Sequence, residues 1–71
     1  MSIVKVVEIS ASSPASFQDA IEKGIARASR TIQNITGAWV NEQKVIVENG
    51  RVTEWRVNMK ISFVIDDGGD D

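Results

Sequence analysis

"VIVENGRVTE", Val45 to Glu54, is the stretch on which the fold turns. Asn49-Gly50 is the pair that accepts the two positive φ angles of a type I′ turn, which joins antiparallel strands by a two-residue loop. With these two as the loop, residues facing each other across the hairpin have numbers adding to 99. Upstream of the turn, Ala38 to Val47 predicts one strand. Downstream, Val52 to Ile65 predicts a longer one with regular alternation. Thr53, Trp55, Val57, Met59, Ile61, Phe63 and Ile65 share its apolar face, and Val52, Glu54, Arg56, Asn58, Lys60 and Ser62 share the other. The register then sets Ile46 against Thr53, Val40 against Met59 and Ala38 against Ile61 on the apolar side. On the polar side it sets Val47 against Val52, Val45 against Glu54, Gln43 against Arg56, Asn41 against Asn58 and Trp39 against Lys60. A β-bulge would flip this assignment, because a one-residue slip exchanges the faces of a strand. The same register puts Glu42 and Lys44 on the apolar side, at its rim or paired across a subunit boundary.

Before the hairpin, Ile3 to Ile9 ("IVKVVEI") is rich in β-branched residues and predicts a first strand. Ser13-Pro14 then reads as a helix start, the hydroxyl capping free N–H groups and the proline losing no hydrogen bond. Phe17, Ala20, Ile21, Gly24, Ile25, Ala28, Ile32 and Ile35 recur at three- and four-residue spacing, one apolar stripe of an amphipathic helix. Gly24 and Ala28 on that stripe allow a close approach to a sheet. Asp19, Glu22, Lys23, Arg27 and Arg30 occupy the exposed side, acid early and base late, as the helix dipole favours. Gly37 serves as the C-terminal cap. The chain is therefore α+β, in the order β-α-β-β. A three-stranded antiparallel sheet of order 1-3-2 packs on one helix, with Trp55 in the core and Trp39 on the face away from the helix. Residues 1–66 form a single domain, and 67–71 ("DGGDD") an acidic, flexible tail.

At 71 residues, ordering the chain costs about as much as its apolar burial returns. Chains of this size lean on disulfides, metals or partner subunits. With no Cys and no His, disulfides, thiolate metal sites and most zinc sites are excluded, which leaves oligomerisation as the expected stabiliser. A net charge of −2 gives no basic patch for nucleic acid. No apolar run reaches the ~20 residues of a membrane span and the N-terminus lacks a signal-peptide core, so a soluble cytoplasmic protein is expected. Ser12, Ser13 and Ser16 have no base partner, and capping accounts for Ser13, so no enzyme is expected. Glu8, Glu42, Glu48, Glu54, Asp66 and Asp67 offer oxygen ligands to a hard cation such as calcium. No local spacing resembles a calcium loop, so such a site would be assembled across subunits. The open face raises two uses for Trp39, packing against another subunit or stacking on a planar ligand. Arg56 beside Gln43 either holds a phosphate or carboxylate or pairs with Glu42 or Glu54.

"KVVEISASSPASFQDAIEKGIARASRTI" (Lys5 to Ile32) and "VNMKISFVID" (Val57 to Asp66) resemble the dodecins, the second through the family's V-x-x-K-V-x-F-x-L strand. The resemblance runs over about residues 3 to 66. It implies a hollow homododecamer that stores a small molecule non-catalytically, commonly a flavin (riboflavin, FMN or FAD). Flavin-binding members resemble this chain least at W-x-E-V, whose Trp stacks the ring across a twofold axis. Aligned on Val40, Gly37 takes the stacking position and Trp39 the Glu position. The family's flavin-contacting Gln falls at Arg56. By parity Gly37, Trp39, Gln43 and Arg56 share the face away from the helix, and these four are the ligand-binding residues expected. Trp39 stands two residues, about 6.6 Å, beyond the usual stacking position. A second branch, described as calcium-binding, has a V-x-E-Q run that "VNEQ" (Val40 to Gln43) resembles, and implies a calcium-binding shell without a flavin pocket as the alternative.

Overall fold

A computed structural model describes residues 3–66; the acidic tail expected at 67–71 lies outside them. The elements are β1 (Ile3–Ser13), α1 (Phe17–Ala28), β2 (Ile35–Glu48) and β3 (Arg51–Asp66). The strands form one antiparallel sheet of order β1-β3-β2, as the sequence predicts. Asn49 and Gly50 have φ of 53° and 77°, the two left-handed residues of the predicted hairpin loop. Among the described residues no helix is long and apolar enough to cross a membrane.

The helix is shorter than its apolar stripe, and three expectations about its ends are corrected. β1 runs on to Ser13, so Ser13 is not the cap. Ser16 is the N-cap: its Oγ accepts from the Asp19 N–H at 2.9 Å. Ser13 instead accepts from the Ala15 N–H at 2.9 Å and donates to Asp19 Oδ2 at 2.6 Å, tying the strand end to the first turn. At the far end, α1 stops at Ala28. The chain reverses through a turn to Asn34, whose φ of 65° is the left-handed bend expected of Gly37. Gly37 lies within β2, and Ile35 pairs with Phe63 rather than extending the helix. Ser16→Ala is expected to cost about 1 kcal/mol, read as a lower denaturant midpoint with an unchanged slope.

Asp19 is the acidic group of this first turn. The Ser13 hydroxyl, and after it Lys23 at 3.3 Å, hold its carboxyl below the usual carboxylate value against the opposing cost of desolvation. A depressed folded-state pKa contributes stability above the unfolded-state value, and that contribution is lost as pH falls through the folded-state value. The stabilisation should therefore be complete above about pH 5 and fade below about pH 4. Asp19→Asn should lower neutral-pH stability and flatten that acid limb, as denaturant titrations at several pH values would show.

The core lies between the helix and the central strand. Ala20, Val57 and Met59 are buried together, with Ile9, Ala11, Phe17, Ile21 and Ile25 packed around them. Ile61 is buried beside them in β3. At Gly24 the helix lies close on the sheet: a Cβ there would stand 2.9 Å from the Ala11 Cβ. Trp55 is half-buried on the helix side, opposite Ser13 and Val45. The molecule is long, 57 × 20 × 14 Å, with a radius of gyration of 15.0 Å. A compact chain of this length would have about 11 Å. Much of the hairpin therefore stands clear of the core.

Candidate functional site

The face of the sheet away from the helix is the candidate site, and β-bulges in the hairpin decide what it carries. From Gly37 to Val40 the predicted register holds, with Trp39 opposite Lys60 and Val40 opposite Met59. Asn41 is then an extra residue in β2, and the register slips by one until Ile46. Gln43 consequently faces Val57 on the helix side, not Arg56 as expected. Glu42 and Lys44, expected on the helix side, face Asn58 and Arg56 on the open side. Val45 moves with Gln43 and faces Trp55. A second slip at Thr53 restores the predicted pairing of Val47 with Val52, so Ile46 faces Glu54 rather than Thr53. Bulges exchange side-chain faces without changing the residue types on either strand, so alternation alone did not locate them. The signal within reach was the pair of charges, Glu42 and Lys44, that the simple register forced onto an apolar side.

Of the four expected ligand residues, Gly37, Trp39 and Arg56 share the open face and Gln43 does not. Trp39 is 57% exposed. Ser62 Oγ donates to the Gly37 carbonyl at 3.3 Å. Across the sheet centre, Asn41 Nδ2 donates to Asn58 Oδ1 at 2.9 Å, and Asn58 Nδ2 donates to Ser10 Oγ at 3.2 Å. This hydrogen-bonded row links all three strands. Arg56 Nε pairs with Glu54. A depression of about 310 Å³ opens here, with Ser10, Ser12, Glu42, Lys44, Arg56 and Asn58 on its walls. Among the described residues no three acidic side chains gather in a way that would hold a metal ion.

Fold and face together define a class: small β-α-β-β chains whose helix covers part of one side of the sheet and leaves the other side open. The dodecin family model matches residues 3–66. A calcium dodecin from Mycobacterium tuberculosis is 32% identical over 63 residues, covering 89% of each chain. The dodecin of Streptomyces davaonensis is 34% identical, with a TM-score of 0.86 over 92% of this chain and 96% of that one. A crystal structure of the calcium-chelating M. tuberculosis protein, with its calcium-binding site, matches at 28% identity and a TM-score of 0.77, covering 93% and 94%. The chain belongs to the dodecin family.

Proposed function

We propose that this dodecin is a non-catalytic binding and storage protein for a small molecule, assembled in the cytoplasm as a hollow homododecamer whose ligand sits on the open face at Trp39. One observation carries the reading. The described chain completely or almost completely buries only Ala20, Val57, Met59 and Ile61 among its apolar side chains, while Trp39 and eight other large apolar side chains stay exposed. Such a surface on so small a chain supports the reading of contact with other copies and with a ligand. Light scattering behind size exclusion tests the assembly, and a stable monomer at micromolar concentration would overturn it. For the ligand, added riboflavin should lose its fluorescence on binding, and Trp39→Ala should abolish the loss. No quenching at micromolar protein rejects flavin.

The second reading is a calcium-binding shell with no flavin pocket. It is favoured by the likeness to the calcium dodecin and by Glu42, which the bulge at Asn41 places on the open face. Calorimetric titration with calcium after chelator treatment decides it, and a silent titration removes it.

A further inference from the structure

We propose that Asn49, at the tip of the hairpin, is a site of spontaneous covalent modification whose main product breaks the turn. Asparagine is thermally labile because the next residue's backbone nitrogen can attack its side chain. Here the Gly50 nitrogen attacks Asn49 Cγ and closes a succinimide ring. The Cγ–Nδ2 bond breaks, and Nδ2 leaves as ammonia with the proton that Gly50 gives up. Water then opens the ring. Cleavage of the new N–Cγ bond gives aspartate. Cleavage between the nitrogen and the main-chain carbonyl gives isoaspartate, whose backbone runs through Cβ and Cγ. Water is consumed, ammonia is released, and nothing is oxidised or reduced. The main-chain carbonyl is the more electrophilic, because the Asn49 amide nitrogen sits on its α-carbon, so isoaspartate is the larger product.

The chain has four asparagines, and the structure separates this one from the rest. Asn34 Nδ2 donates to the Val64 carbonyl at 3.4 Å, Asn41 Nδ2 to Asn58 Oδ1 at 2.9 Å, and Asn58 Nδ2 to Ser10 Oγ at 3.2 Å. Each of those three precedes a residue with a side chain, Ile35, Glu42 or Met59, which crowds the nitrogen that must attack. Asn49 is exposed, and its amide has no hydrogen-bond partner among the described residues. Gly50 is exposed as well, and nothing beyond its chain neighbours lies within 4 Å of where a Cβ would stand. The ladder ends at Glu48 and Arg51, and among the described residues the Gly50 N–H donates to no carbonyl. Asn34 is the internal comparison. It shares the left-handed backbone, with φ of 65° against 53°, but has neither the free amide nor the following glycine. Backbone conformation alone therefore does not single out Asn49; the free amide and the unhindered nitrogen do.

The two products act differently on the hairpin. Aspartate adds a negative charge and keeps the loop, since Asp-Gly accepts the same pair of positive φ angles. Isoaspartate lengthens the backbone between Glu48 and Gly50, so the loop no longer closes the pairs Glu48–Arg51 and Val47–Val52 in register.

Full-length protein kept warm in mildly alkaline buffer and then peptide-mapped by mass spectrometry tests the proposal. The peptide with Asn49 should gain the mass difference between an amide and an acid, and should resolve into two species with isoaspartate the larger. Peptides with Asn34, Asn41 and Asn58 should keep their masses. Asn49→Asp, which keeps the turn, should show no gain at this position. Aged protein separated by ion exchange should melt at a lower temperature than fresh protein, whereas Asn49→Asp should melt like fresh protein. No gain at Asn49, or an equal gain at another asparagine, would overturn the site. Aged protein that melts like Asn49→Asp would overturn the breaking of the turn.

Discussion

Gly24→Ala is expected to destabilise the fold by about 1–3 kcal/mol, although it replaces a poor helix former by the best one. The added methyl would stand 2.9 Å from the Ala11 Cβ and 3.1 Å from Met59 Cε. Met59 can swing its terminal methyl aside. Ala11 cannot, because its Cβ is fixed by the backbone of β1, so the helix itself must lift from the sheet. Lifting it loosens Ala20 against Val57 and Met59, the whole of the buried cluster. Against a total stability of about 5–15 kcal/mol, with small chains at the low end, such a loss is large. Denaturant melts of Gly24→Ala, Ala11→Gly and the double variant distinguish the clash from a general helix effect. In the double variant the methyl gains room, so the two changes should cost less together than their sum. Simple additivity would refute the close approach as the cause.

How much of this was legible in the sequence depends on the kind of signal. Asn49-Gly50 announces its turn through the positive φ that few other pairs accept, and the strand order follows from it with the helix crossover. Gly24 was legible as a small residue on an apolar stripe. The N-cap was misplaced because Pro14 marks a helix start so strongly. Ser16-Phe17-Gln18-Asp19 carries the competing signal, a serine with an acid three residues on, and in the fold that serine caps. The stripe also overran the helix, since Ile32 and Ile35 keep its spacing while Asn34 breaks its backbone. At the candidate site, Trp39 against Lys60 was legible because the extra residue at Thr53 in β3 and the extra residue at Asn41 in β2 cancel, returning the register to its predicted value. Beyond Asn41 one extra residue exchanges Gln43 for Glu42 and Lys44 on the open face, and its trace in the parity arithmetic was the pair of charges set on the apolar side. The ligand address was thus found, and half of its chemistry was hidden.

The second large effect is expected on assembly. A helix of 12 residues is about 18 Å long, whereas the 16 residues of β3 extend about 53 Å, so α1 cannot cover the hairpin. It packs on β1 and β3. On the same side of the sheet, Val40 of β2 is 41% exposed opposite the buried Met59, and Val45 is 36% exposed opposite Trp55. These side chains face the helix layer without being covered by it, and another copy of the chain is the cover the proposed shell provides. Val40→Glu and Val45→Glu should therefore each place an unpaired carboxylate in a contact between copies. Leaving such a charge uncompensated costs about 3–5 kcal/mol, and the symmetry of an assembly repeats the cost at every equivalent contact. Size exclusion with light scattering should show the assembly replaced by small species, with unfolding following at lower temperature because the lone chain has so little core. Arg51→Gln, an exposed change near the hairpin tip, should leave the assembly as it is. If both glutamate variants assemble like the wild type, this side of β2 is not where the copies meet, and the exposed valines there need another cover.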